Sequence, residues 1–256
     1  MTVDWLSGAK RDLDGIELVP CGNIVEKIRA TKSQYEISCI QTAQRTAELA
    51  LQHVLGIIRP GITEFDVAAE IGYFMAKCGC LNSFNTIAAS GPNSSMPHAV
   101  VSNRVLQKGD FITMDFGCVY DGYISDMTRT VAIGQPTDEM VKVYNIVLEA
   151  QKRALDLIAP GVNCLDVDTA ARGYIAEMGY GDYFGHGLGH SFGLEVHEEP
   201  RFSPQCREDL VPGICISVEP GIYLPGKFGV RIEDTVCVTE DGYMNFTKAP
   251  KELIIL

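Results

Sequence analysis

VLQKGDFITMDFGCVYDGYISDMTRTVAIG, residues 105–134, reads as a β-hairpin. Runs of Val, Ile, Thr and Tyr flank Asp121-Gly122, a dipeptide suited to the positive φ angles of a two-residue turn. With that turn Tyr120 faces Tyr123, facing residue numbers sum to 243, and Asp115 falls opposite Thr128. Asp126 lies two places from Thr128, so it points to the same face as Asp115. The two aspartates become diagonal cross-strand neighbours, with backbones about 7–8 Å apart and carboxylates able to converge. A register slip of one residue would destroy the arrangement.

Two more acids stand in similar text. Glu219 lies in SVEPGIY (217–223) and Glu233 in VRIEDT (230–235), where Arg231 and Glu233 share one face and Val230 and Ile232 the other. A single Asp or Glu usually ends as a solvated surface group. Four of them embedded in apolar strand text are hard to leave unpaired. Histidines gather near the same segments: His98 in SGPNSSMPHAV (90–100), and His186, His190 and His197 in GHGLGHSFGLEVHE (185–198). His53, in the helical ALQHVLGII, reads as structural. Four carboxylates and an imidazole suit two divalent cations, because the anions repel each other until roughly four positive charges neutralise them.

The rest of the chain frames this hairpin. IIRPGITEFDVAAEIGYFMAKCG (57–79) returns 100 positions later as LIAPGVNCLDVDTAARGYIAEMG (157–179), matching Pro60 with Pro160, Gly61 with Gly161, Asp66 with Asp166 and Gly79 with Gly179. Each copy reads as a helix, a Pro-Gly turn and a second helix. Either two amphipathic helix pairs are alike by chance, or the fold is built from two pseudo-symmetric α/β halves with helices covering a sheet. A net charge of −12 argues against a nucleic-acid partner and an anionic membrane surface. The N-terminus lacks a signal peptide's apolar centre, and nine cysteines without CxxC pairs read as reduced thiols of a cytoplasmic protein. Cys78-Gly-Cys80 gives poor support for a structural zinc.

The segments around Asp115, Asp126, His190, Glu219 and Glu233, in that order, resemble the metallopeptidases that share the pita-bread fold: methionine aminopeptidase, aminopeptidase P, prolidase and creatinase. The resemblance covers roughly residues 36–256 and implies an α+β fold whose helices cover a curved antiparallel sheet. It assigns Asp115 to one ion and His190 with Glu219 to the other, with Asp126 and Glu233 bridging. Of the two histidines in HGLGH, His190 is the ligand because its seven-residue step to His197 matches the family spacing. His98, His186 and His197 match substrate-contacting positions. The implied cofactor is a pair of Mn, Co, Zn or Fe ions, which mixed carboxylate and imidazole ligation leaves unresolved.

The implied reaction is hydrolysis of an N-terminal peptide bond, with Glu219 accepting the proton of a water and His197 and His98 stabilising the reacting carbonyl and leaving amine. No G-x-S-x-G elbow supports a covalent route. GHSFGLEVHE and Arg231 favour the proline-directed branch, because the methionine-specific branch usually has glutamine in place of this arginine. Arg231 would orient a carboxylate or bind substrate, unless it forms a surface ion pair. Methionine aminopeptidase is the second reading, and a peptide-binding protein without catalysis is the reading from another class. Residues 1–35 read as a linker-like segment after an upstream domain, leaving a catalytic domain without its cap. In larger relatives that domain helps to build the homodimer, so a homodimer is carried as an expectation.

Overall fold

The structure is a computed structural model and describes residues 2–256. Helices α1 (Val3–Asp12) and α2 (Ile24–Ala30) come first, and neither has a buried residue. Next, α3 (Gln34–Leu55) begins at a capping box between Ser33 and Glu36. Its Ile37, Ile40, Ala43, Ala47, Leu51 and Val54 are buried at three- and four-residue steps, the period of one helix face. The expected boundary at residue 35 therefore falls inside the first turn of this helix. A second capping box, Thr63 with Asp66, opens α4 (Glu64–Lys77).

Six short strands follow: β1 (Leu81–Asn82), β2 (Ile87–Ser90), β3 (Phe111–Phe116), β4 (Cys118–Tyr120), β5 (Tyr123–Ile124) and β6 (Met127–Ala132). The pattern then repeats with α5 (Asp138–Leu155) and α6 (Cys164–Glu177). The strands of this part are β7 (Gly189–Ser191), β8 (Glu198–Phe202), β9 (Cys215–Val218), β10 (Gly221–Leu224), β11 (Phe228–Arg231), β12 (Asp234–Val238) and β13 (Tyr243–Asn245).

The molecule mixes helices and antiparallel strands, as expected, but the strands form four sheets rather than one unbroken sheet. Their orders are β1-β4-β5, β2-β3-β6, β10-β11 and β13-β12-β9-β7-β8. Breaks fall at residues 125–126, 219–220 and 232–233, beside or at Asp126, Glu219 and Glu233. At these places the chain leaves the ladder and turns an acid inward. Glu233 N still donates to Thr128 O at 3.1 Å, which joins the two sheets across the break.

Each helix pair covers mainly one sheet, while the start of α3 reaches the other through Ile37 and Ile40 against Phe192, Cys215 and Cys237. In the first half Ala47, Leu51, Val67, Ile71 and Met75 pack on Ile112, Met114, Phe116 and Val131. In the second, Val143, Val147, Val167, Ala171 and Ile175 pack with Phe202, Ile216, Val218 and Val236. Each of these Val, Leu, Ile, Met and Phe side chains contributes roughly 1.5–3 kcal/mol by leaving water. The Pro-Gly turns of the repeated text are tied alike: Gly61 N donates to Leu106 O at 3.0 Å and Gly161 N to Leu210 O at 2.8 Å. In return Leu106 N bonds Ile62 O, and Leu210 N bonds Val162 O.

Candidate metal centre

The hairpin has the register set by its turn. Tyr120 pairs with Tyr123 and Asp115 with Thr128. Asp121 and Gly122 have φ of 49° and 84°, the left-handed pair that a two-residue turn requires. Between the two ladders, a Cβ on Gly117 would lie 1.8 Å from the Ser125 carbonyl oxygen. Only glycine lets the strands approach closely enough to carry the register through to Asp126.

Asp126, His190 and Glu233 place one ligand atom each within 4.8 Å of one another. His190 Nε2 stands 3.2 Å from Glu219 Oε1 and 3.7 Å from Asp126 Oδ2. Its Nδ1 donates to Ser191 O at 3.2 Å, which turns Nε2 toward the acids. Ser217 Oγ donates to Glu219 Oε1 at 3.0 Å and Thr128 Oγ1 to Glu233 Oε2 at 2.8 Å. Asp115 Oδ2 accepts from Arg231 NH2 at 2.6 Å. The free oxygens, Asp115 Oδ1 and Glu233 Oε1, are buried and have no hydrogen-bond partner.

Electrostatics show what this donor set lacks. Burial, then the neighbouring acids, push Asp126 and Glu233 well above the carboxylate range. Asp115 is also raised by burial, against the pull of Arg231. Burial works against the charge of Glu219 and His190 too, but their mutual contact brings Glu219 down to about 2 and His190 up to about 9. Four crowded acids with two orphaned oxygens and a single imidazole need added positive charge. Divalent cations fit this set, since oxygen and imidazole donors are their usual protein ligands.

The cluster opens into a cavity of about 690 Å³, which is also lined by His98, His186, His197 and Arg231. All the residues singled out from the motifs therefore meet in one place, whereas His53 lies apart and bonds Glu70 at 2.6 Å. The His197 ring is 4.4 Å from that of His190. His186 donates from Nδ1 to Gly187 O at 2.8 Å and accepts the Tyr223 hydroxyl at Nε2, 2.9 Å away. Burial lowers its pKa, which favours this neutral form. Burial also lowers that of His197, helped by His190. Cys78 and Cys80 are free thiols, one exposed and one buried.

Arg231 is buried, not part of a surface ion pair. It donates from Nε to Thr128 Oγ1, and from NH1 to Tyr223 OH and Pro97 O, besides its bond to Asp115. Tyr223 and Thr128 were not anticipated as site residues. Thr128 carried a signal, because the hairpin register already put it opposite Asp115. Tyr223 needed the second hairpin, in which Gly221 faces Arg231 and Tyr223 is its diagonal neighbour.

A hydrolytic metal site on a mixed helix and sheet scaffold is the class that this geometry defines. Residues 38–240 match the model of metallopeptidase family M24, and the chain belongs to that family. It is 47% identical over 257 residues to the uncharacterized peptidase YqhT of Bacillus subtilis, covering 100% of this chain and 73% of that one. The structure of an Xaa-Pro dipeptidase from Bacillus anthracis superposes with a TM-score of 0.98 at 47% identity, covering 100% of this chain and 72% of that one. An X-Pro aminopeptidase from Thermotoga maritima gives a TM-score of 0.94 at 40% identity, over 100% of this chain and 73% of that one. No helix among the described residues is long and apolar enough to cross a membrane.

Proposed function

We propose that this protein hydrolyses the bond before proline in dipeptides or short peptides with a free N-terminus, using two divalent metal ions. The observation that carries the reading is the convergence of four buried carboxylates and His190 on one cavity, with Asp115 Oδ1 and Glu233 Oε1 unsatisfied. Asp115 would serve one ion, His190 and Glu219 the other, and Asp126 and Glu233 both. Such ions supply the charge that lowers the pKa of water and polarises a carbonyl.

The protein's own groups do the rest. Glu219, oriented by the bond from Ser217 Oγ to its Oε1, would take a proton from the attacking water and pass it to the proline nitrogen as the C–N bond breaks. His197 and His98 donate hydrogen bonds as negative charge develops on the carbonyl oxygen and as the proline nitrogen leaves. His186, neutral and tied to Tyr223, shapes the substrate side of the cavity. Arg231 holds Asp115 in line, and this role is supported by its 2.6 Å contact. A methionine-directed site is less well supported, because that branch usually has glutamine where Arg231 makes these bonds.

In this reading residues 36–256 are the catalytic unit, with two pseudo-symmetric pita-bread halves supported by the matched turns at Gly61 and Gly161. The nine free thiols fit a cytoplasmic protein, and a homodimer remains part of the proposal. The deciding experiment loads the protein separately with Mn, Co, Zn and Fe and offers Xaa-Pro, Xaa-Pro-Xaa and Met-Xaa peptides. Cleavage before proline is expected. Turnover of Met-Xaa peptides alone would favour the methionine reading, and peptide binding without turnover would favour the non-catalytic one.

A further inference from the structure

We propose that Arg29 and Lys32, from the segment before α3, are positioning residues for His197 and act through the buried carboxylate of Glu198. The kinetic part rests on the peptidase reading above; the geometric part stands alone. Glu198 follows His197 directly and its side chain is only 7% exposed. Its Oε2 is 2.9 Å from Lys32 Nζ. Its Oε1 accepts from Arg29 NH2 at 2.6 Å and from the backbone amides of Leu194 and Glu195 at 3.0 and 3.2 Å. One carboxylate thus joins the upstream segment to the loop that delivers His197.

The upstream side of this link is itself anchored. Lys32 N donates to Gly213 O at 2.9 Å, and Thr31 bridges Ile214 just before β9, the strand that leads to Glu219. Lys32 Nζ also donates to Ala30 O at 3.2 Å. The loop lies directly on the ion pair: a Cβ on Gly193 would meet Lys32 Cε at 2.8 Å and both Glu198 oxygens at 3.2 Å. Gly193 O accepts from Ile124 N at 2.9 Å, which ties the other side of the loop to β5, two residues before Asp126.

His197 needs this support because its side chain is exposed to the cavity, so beyond its ring contact with His190 its backbone sets its place. A buried ion pair adds little stability over a well-packed apolar pair. Its contribution here is geometric: the Lys32–Glu198 pair holds the His197 backbone at a fixed distance from His190. The segment that reads as a linker is in this way part of the site.

The test compares Lys32→Met and Glu198→Gln with the unaltered protein. In the metal-free state, backbone hydrogen exchange at Leu194 and Glu195 should accelerate about tenfold while β9 is unchanged, as local opening without global loss requires. In the metal-loaded state kcat should fall about tenfold, a share of the roughly 10²-fold that a 1 Å misplacement causes. KM and bound metal should hold, and Lys32→Arg should restore part of the rate. In a His197→Ala background Lys32→Met should cost nothing further in kcat. Unchanged exchange at residues 194–195, or rate losses of Lys32→Met and His197→Ala that multiply, would overturn the proposal. If Lys32→Met does not fold, Glu198→Gln decides by the same measurements. If the unaltered protein has no Xaa-Pro turnover, the functional reading fails and the exchange result still decides this one.

Discussion

Helices α4 and α6 begin 100 positions apart in the sequence and each follows a Pro-Gly turn, yet each uses a different acid to hold a different histidine segment. Glu64, the first residue of α4, accepts from Ser90 N at 2.7 Å, Ser102 N at 3.1 Å and Asn93 Nδ2 at 3.1 Å. Those residues bracket the loop that carries His98. In α6 the matching position is the buried Cys164, and the acid is Asp168, one turn further on the same face. Asp168 accepts from Leu188 N at 3.0 Å and pairs with Arg172 at 2.8 Å. Arg172 then donates to Phe184 O and His186 O, holding the segment that leads to His190. One carboxylate reaches its loop directly; the other extends its reach with an arginine. The two helices start alike in sequence, and their side chains then diverge, one acid holding the His98 loop and the other the segment before His190.

The comparison can be broken most severely where the halves meet. In the proposed two-ion reading Asp126→Asn removes a shared anionic ligand, so metal should be lost and activity should fall by more than roughly 10²-fold. The fold should survive, since the apolar clusters bury side chains that hold no ion. Full metal content and normal turnover in this variant would remove the two-ion reading. Next come the histidines of each half. His98→Ala and His197→Ala should each lower kcat by roughly 10²–10³-fold with metal retained, and an ion lost from His197→Ala would mean that the wrong histidine of residues 186–197 is assigned as ligand.

Replacing the helix acids sharpens the contrast. Glu64→Ala and Asp168→Ala each leave buried amides without their charged acceptor, at about 2–3 kcal/mol in a denaturant melt. Their functional signatures should separate: Glu64→Ala should disturb kcat through the His98 loop at unchanged metal affinity. Asp168→Ala should weaken metal binding by about 10-fold or more through His190. Equal metal loss in both would show that the two helices do not divide the work.

The smallest effect is one of pH. Burial pushes the Glu198 carboxyl up, but Lys32 and Arg29 outweigh it and hold it below the usual range. A depressed folded pKa gives stability that is fully present above the unfolded value of about 4.3 and is lost as pH falls through the folded value. The stability gap between the unaltered protein and Glu198→Gln should therefore be constant near neutral pH and narrow below about pH 4. Urea melts at both values test this, and an equal gap at each would place the stabilisation elsewhere.

By itself the sequence determined whatever depends on near neighbours. Asp121-Gly122 has the turn chemistry for one hairpin register, and strand alternation then carries Asp115, Asp126 and Thr128 to one face. The capping pairs Ser33–Glu36 and Thr63–Asp66 and the Pro-Gly turns likewise lie within a few residues of one another, so the helix repeat was legible as text. Tertiary structure alone decided the bonds that join distant parts of the chain. Arg231 reaches Asp115 across 116 positions, and Lys32 reaches Glu198 across 166. Arg129 pairs with Asp234 at 2.9 Å and pulls β6 against β12, beside Glu233. No local period encodes such meetings. They exist because two packed cores hold distant strands edge to edge, where a buried charge must find whichever opposite charge the fold brings within reach.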